Sequence, residues 1–199
     1  KHISTGEGGL LVTNSSELAE EARKFAGLGF MNLTSGKSKM IAITPKDFQR
    51  PDFLRHDRLG LNYRFTEFCA AVGLAQFERV EEIVSIRQEI ASLYDKVFIG
   101  TNFEPQTVRK GYEHSYFSYS VKSPFDDKNE WIDFYNFHVK NSGDDFYAMM
   151  QPAYREPIMD NLGFKSEYDG SCPVAEKVQK VSMLFKTNYR TIEEAELNI

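Results

Sequence analysis

Apolar residues recur every three or four positions from Ala70 to Val97, through Leu74, Phe77, Val80, Ile83, Ile86, Ile90 and Leu93. This is the period of one amphipathic helix face, and it predicts a helix of roughly thirty residues, about 45 Å long at 1.5 Å per residue. Thr66 stands in the N-cap place. Ala70, Ala71, Gly73 and Ala75 give the first half a small-residue face that another backbone can approach closely. A helix of this length can leave one domain and enter another, so the domain division is expected behind it, at residues 1–97 and 98–199.

Ahead of it, Leu10 to Thr13 reads as an apolar strand. Asn14, with Glu17 three residues on, forms a capping-box pattern for a helix over Ser15–Ala26. Leu18, Ala19, Ala22 and Phe25 share one face of that helix, and Gly27 takes the C′ place. Phe30 to Arg58 shows no sustained period, carries Gly36, Pro45 and Pro51, and is too long for a simple connection. Behind the long helix, His114 to Val121 alternates and is rich in aromatics, the pattern of a half-buried strand. Asn129 to Val139 spaces Trp131, Phe134, Tyr135 and His138 for one helix face. Cys172–Val178 reads as a turn into a helix, Met183–Phe185 as a short strand, and Thr191 as the cap of a last helix. Strands alternating with helices place the chain in the α/β class.

Composition narrows the function classes. Hydrophobic residues make up 41% and charged residues 27%, a globular balance rather than a disordered one. The net charge of −5 argues against nucleic acid as a partner. No apolar run approaches a membrane span and no signal-peptide pattern opens the chain, so a cytoplasmic location is expected. Cys69 and Cys172 are far apart and lack metal-ligand spacing, so neither a disulfide scaffold nor a metal site is expected. Lys37, Lys39, Lys46, Arg50, Arg55 and Arg58 would suit a loop reaching for phosphates, or equally a solvated excursion. The chain opens on Lys1 and stops at Ile199 inside an expected helix, which reads as a piece of a longer protein.

The chemistry-bearing stretch is Lys1-His2-Ile3-Ser4-Thr5-Gly6-Glu7-Gly8-Gly9. Its glycines permit positive φ and close backbone approach. A lysine held beside such a turn can lose solvent, drop its pKa and become a nucleophile. Read alone, the same residues describe a solvated lysine before a hairpin turn.

Three segments in order change that reading. Lys-x-Ile-x-x-Gly-Glu-Gly-Gly at Lys1–Gly9 resembles the pyridoxal-phosphate lysine motif of the DegT-type sugar nucleotide aminotransferases. Leu59-Gly60-Leu61-Asn62-Tyr63-Arg64-Phe65-Thr66 resembles that family's Leu-Gly-Tyr-Asn-Tyr-Arg-Met-Thr signature. Ala70-Ala71-Val72-Gly73-Leu74-Ala75-Gln76-Phe77 resembles the helix that follows it. Arg87-x-x-Ile90-Ala91-x-x-Tyr94, His114-Ser115-Tyr116 and Cys172–Glu176 extend the resemblance over nearly the whole chain. Met183 to Tyr189 departs from the commoner Leu-Pro-Leu pattern and leaves the subfamily open.

The resemblance implies the C-terminal part of a type I aminotransferase fold. Residues 1–97 would end the large cofactor domain and carry the linking helix, and 98–199 would form the small α/β domain. Lys1 would hold pyridoxal phosphate as a Schiff base and then move the proton between substrate and cofactor carbons. Gly6, Gly8 and Gly9 would shape the turn behind it. Asn62 would reach the cofactor phosphate of the neighbouring subunit in a homodimer with shared active sites. Arg64 would contact a phosphate or the donor's carboxylate, since its planar fork suits both. His114 and Tyr116 would lie near the nucleotide-sugar pocket. The residues alone leave other roles open: Asn62 as a backbone partner, Arg64 as a surface partner of Glu67, and His114 as a packed, hydrogen-bonded ring. The implied reaction is transfer of an amino group, with glutamate as donor, to a nucleotide-linked keto-sugar. A cyclitol or aminosugar-precursor transaminase, or a non-catalytic folding or dimerisation unit, are the alternatives. Dehydratases of the family carry histidine at the lysine position, and the register puts Lys1, not His2, there.

Overall fold

Helix α1 (Ser16–Ala26) begins where a hydroxyl meets its free N–H groups: the Ser15 side chain accepts from the Leu18 amide at 3.2 Å. In the computed structural model, which describes residues 1–36, 41–164 and 168–199, the cap thus stands one residue past Asn14. The expected strand at Leu10 to Thr13 is absent. A strand needs a neighbour for its backbone groups, and this segment pairs with none among the described residues. Its side chains stand largely in solvent, Leu10 at 90% exposure.

Gly27 closes α1 as its C-cap with φ −108°, and the left-handed positions follow it at Leu28 and Gly29. The helix-end carbonyls of Phe25 and Ala26 accept from the amides of Leu61 (2.7 Å) and Tyr63 (2.8 Å). The signature segment Leu59–Phe65 is thereby hung on the end of α1, satisfying groups that a helix terminus leaves open. Two glycines make the crossing feasible. A Cβ on Gly60 would fall 2.2 Å from the Gly29 nitrogen, and one on Gly29 would fall 2.0 Å from the Arg58 carbonyl oxygen.

The aperiodic stretch has local order. Helix α2 (Pro45–Phe48) is closed by a Thr44–Asp47 capping box. Phe30 and His56 form an isolated bridge and stack their rings 4.7 Å apart. The basic residues mostly serve this order: Arg50 pairs with Asp52, Arg58 with Glu21 and Asp57, and Arg55 lies over the Phe48 ring. Lys37 and Lys39 lie outside the described residues. Buried Lys24 pairs with Asp57 at 2.9 Å and Glu20 at 3.2 Å.

The thirty-residue helix is two helices, α3 (Glu67–Phe77) and α4 (Val80–Phe98). Thr66 caps α3 as expected, accepting from Cys69 N. The chain leaves helical geometry at Arg79 (φ −110°, ψ 11°), whose guanidinium folds back onto Glu82. Apolar spacing cannot register such a break, because the three-and-four pattern resumes on the far side. The chain divides there into two compact units, Ile3–Glu78 and Arg79–Ile199 with Lys1–His2.

The C-terminal unit is built on one antiparallel sheet in the order β1-β2-β4-β3: β1 (Glu104–Pro105), β2 (Tyr119–Lys122), β3 (Tyr147–Ala148) and β4 (Ser182–Phe185). Its register pairs Tyr119 with Phe185 and Val121 with Met183. Ile90, Ala91 and Tyr94 of α4 pack with these four buried residues and with Phe146 in one core. Helix α5 (Lys128–Lys140) is capped by Asp127 and lays Trp131 and Phe134 against Phe146. A 3₁₀ turn (Ala153–Arg155), α6 (Pro157–Asn161), α7 (Pro173–Gln179) and α8 (Ile192–Glu196) complete it. Of the expected strand His114–Val121 only Tyr119, Ser120 and Val121 join the sheet, in β2; residues 114–118 are irregular.

Candidate functional site

Residues 114–117 are irregular because their carbonyls are claimed by side chains instead of by a ladder. The Gln88 amide nitrogen donates to His114 O at 3.1 Å. His2 Nε2 stands 2.7 Å from Ser115 O; a carbonyl only accepts, so this nitrogen carries the proton. Arg87 Nη1 donates to Phe117 O (3.1 Å) and lies at 3.5 Å from Tyr116 O. The fully buried Thr187 hydroxyl accepts from Arg87 at 2.8 Å and turns its own proton to Tyr116 O at 2.7 Å, with Phe117 O at 3.0 Å. Four successive carbonyls are thus gripped from α4, from the exit of β4 and from the chain start. The grip holds Tyr116 at φ +47°, a left-handed conformation that costs a residue with a side chain of the order of 1 kcal/mol or more.

Lys1 faces this strap. Its Nζ lies 5.9 Å from the centre of the Phe117 ring, and Phe117 also packs near His2. Lys1, Arg87, Phe117, Asp144, Lys186 and Asn188 help line a cavity of about 780 Å³. Arg87 is 9% exposed and has no carboxylate partner among the described residues. Burial holds its guanidinium below its ordinary pKa. Asp144 is compensated: burial pushes its carboxyl up, but hydrogen bonds from Lys186 and Tyr189, each 2.9 Å, prevail and hold it below the usual range.

His114 and Tyr116 are together, with ring centroids 4.2 Å apart. The His114 ring is part of the turn, since its Nδ1 accepts from the Tyr116 amide at 2.8 Å. This leaves Nε2 as the N–H of the neutral ring. Burial raises the Tyr116 phenol above its ordinary pKa.

In the other unit, Asn62 and Arg64 are exposed neighbours. Arg64 Nε donates to Asn62 Oδ1 at 2.9 Å, and no ion pair joins Arg64 to Glu67. That bond engages the Asn62 oxygen, while its NH₂ group and the other guanidinium N–H groups have no acceptor among the described residues. The glycine turn lies alongside, because a Cβ on Gly8 would meet the Phe65 ring at 2.5 Å. Gly6 and Gly8 adopt positive φ. Gly9 does not, and space around it is open, so the turn needs two of the three expected glycines.

Comparison with known proteins assigns the chain. The description of the DegT/DnrJ/EryC1/StrS aminotransferase family matches residues 1–195. The chain belongs to that family. GDP-perosamine synthase of Escherichia coli O157:H7 is 30% identical over 172 residues, 83% of this chain and 42% of that protein. A UDP-4-amino-4,6-dideoxy-N-acetyl-beta-L-altrosamine transaminase of Helicobacter pylori is 33% identical over 98 residues, 49% of this chain and 22% of the relative. The chain spans about two fifths of the length of GDP-perosamine synthases it matches. Among solved structures, Helicobacter pylori PseC, an aminotransferase involved in the biosynthesis of pseudoaminic acid, superposes with a TM-score of 0.76 at 20% identity over 99% of this chain and 48% of its own. The PLP-form of the putative sugar aminotransferase Spr1654 of Streptococcus pneumoniae gives a TM-score of 0.71 at 18% identity, over 99% and 47%. These likenesses establish the partial α/β aminotransferase fold.

Pyridoxal phosphate is the cofactor that this family indicates, and the donor chemistry suits two of its ends. In the one unit Lys1 has the amine that an aldehyde would require, and in the other Asn62 and Arg64 have N–H donors of the kind that would hold a phosphate. The sequence assigned no site role to Arg87, Thr187, Gln88 or Phe117. Arg87 did leave a signal: a guanidinium four residues before Ala91 and seven before Tyr94 sits on the apolar face of α4, where a charge requires a reason.

Proposed function

We propose that the chain forms the C-terminal part of a pyridoxal-phosphate-dependent aminotransferase that moves an amino group, with glutamate as donor, to a nucleotide-linked keto-sugar. The supporting observation is Lys1, the motif lysine, standing at the wall of a cavity of about 780 Å³ beside Phe117. Bound there, the cofactor would supply the electron sink that lets an amino group and a carbonyl exchange places. Lys1 Nζ would hold the cofactor and carry the transferred proton, acting as base and then as acid. Asn62 and Arg64 would bind phosphate through the donors their mutual hydrogen bond leaves outward, for the neighbouring subunit of a homodimer. His114, with Nδ1 occupied, would offer Nε2–H as a donor to the sugar, and Tyr116 its phenol.

In the whole enzyme residues 1–97 would end the large cofactor domain and 98–199 would form the small domain, in the cytoplasm. No described helix is long and apolar enough to cross a membrane. A second reading, that these 199 residues alone act as a folding or dimerisation unit without catalysis, draws support from apolar side chains left in solvent. Phe68 is 89% and Leu59 85% exposed.

The test is a cofactor titration of the whole protein and of its Lys1→Ala variant by visible absorbance and turnover. The variant is expected to lose the lysine-dependent absorbance and at least about a thousandfold in turnover, more than general acid–base work alone supplies at its lower end. An absorbance unchanged in Lys1→Ala would remove Lys1 from this role.

A further inference from the structure

Arg87 is a buried cation with no counter-charge among the described residues. All three of its hydrogen bonds leave from Nη1, and they end on two carbonyls and a hydroxyl. Nε and Nη2 have no acceptor among the described residues, yet none of the described side-chain nitrogens is both shut from solvent and unbonded. These two nitrogens therefore keep access to solvent, on a residue that lines the cavity. Ser118 and Asn188 line the same cavity, and neither side chain is hydrogen-bonded to protein among the described residues. Of the carboxylates at the cavity, Asp144 is engaged by Lys186 and Tyr189, and Asp145 accepts from the Tyr135 hydroxyl at 3.1 Å. Neither pairs with Arg87. A guanidinium kept out of water without a counter-charge is costly, and a planar fork with two free N–H directions matches a two-oxygen anion.

We propose that Arg87, with Ser118 and Asn188, forms an oxyanion subsite in the Lys1 cavity that takes a carboxylate or a phosphate. The anion would bridge the outward edge of the guanidinium while Nη1 stays fixed on the Tyr116 and Phe117 carbonyls. Binding would hold a charged end of the ligand against the same strap that flanks the Lys1 amine. Naming the ligand as the amino donor or the nucleotide sugar rests on the transaminase reading; the anion site itself rests on the geometry of Arg87.

The experiment titrates inorganic phosphate and, separately, glutarate into the cofactor-free whole protein at low ionic strength, followed by calorimetry. An Arg64→Gln background removes the exposed guanidinium that would compete for anions. One saturable site is expected. Asn188→Asp, an exposed change that leaves the buried hydrogen bonds alone, should weaken it at least about tenfold through like charge. Arg87→Met should abolish it, and Arg87→Lys should restore part, as a point charge without the fork. Lys122→Gln, away from the cavity, should bind as the parent does. Tighter glutarate than phosphate assigns the site to the donor's carboxylate; the reverse assigns it to a phosphate of the nucleotide. Failure of both anions to saturate, or Asn188→Asp binding like the parent, would overturn the subsite. Because no cofactor is present, that failure is separate from failure of the Lys1 test.

Discussion

Replacing Thr187 by valine would ask how much the strap over residues 114–117 depends on one hydroxyl. Valine keeps the shape and removes the oxygen. Thr187 is fully buried, accepts from the charged Arg87 at 2.8 Å and donates to Tyr116 O at 2.7 Å. A hydrogen bond to a charged group contributes about 1.5–3 kcal/mol, and a buried acceptor left short of its donor costs about 1–3. Tyr116 O would keep only the long 3.5 Å approach of Arg87. The extra methyl recovers up to about 0.8 kcal/mol by burial. The net loss should be about 3 kcal/mol. For a protein of this size that lowers Tm by roughly 6–12 °C. Urea unfolding followed by circular dichroism gives the stability difference, with Thr187→Ser as the matched control. Serine keeps the oxygen and loses a methyl, and should cost about 1 kcal/mol. The decisive quantity is the order of the two variants. If valine proves as stable as the parent, or more stable than serine, then packing and not hydrogen bonding holds the strap, and the account of Tyr116's left-handed backbone fails with it.

Gly60→Ala should destabilise the Ile3–Glu78 unit by about 2–3 kcal/mol, because its Cβ would meet backbone rather than a side chain that can turn away; Gly9→Ala, in open space, should change stability by less than about 0.5 kcal/mol, and hydrogen exchange of the unit separates the two. Stability should also fall in alkali. Burial pushes the Tyr94 phenol up to about 12 and raises Tyr119 and Tyr189 as well. The unfolded phenols ionise near 10 while the folded ones stay protonated, so this stability is intact below about pH 10 and is lost as pH rises through the folded values. Urea midpoints measured from pH 8 to 12 should decline over that window, and a flat profile would contradict the assignment.

What was legible in the residues divides by the kind of interaction involved. Thr66, Thr191 and the one-sided aromatics of α5 announce their helices because capping and amphipathic packing are local, and these were read correctly. Leu10–Val12 misled because strand character requires a partner that apolar residues alone cannot guarantee. The break at Arg79 was invisible to periodicity. Residues 114–118 alternate like a strand, yet donors some 26 to 113 positions away in the chain claim the carbonyls. In the candidate site, the residue types of Lys1, Asn62 and Arg64 stood out through motif spacing. Arg87 stood out only as part of the Arg87-x-x-Ile90-Ala91-x-x-Tyr94 match and Thr187 not at all, and the role of each emerges only once burial and hydrogen-bond partners are known.

The strap has one more consequence. Its anchors hold main-chain oxygens, and every peptide unit offers the same oxygen whatever its side chain. The residues displayed at Ser115 and Phe117 can therefore be exchanged without loosening their support, as tools are changed in a fixed holder. His114 is the exception, since its ring itself closes the turn through the Tyr116 amide. Side chains at those two positions are thus free to change while the backbone that carries them stays where it is.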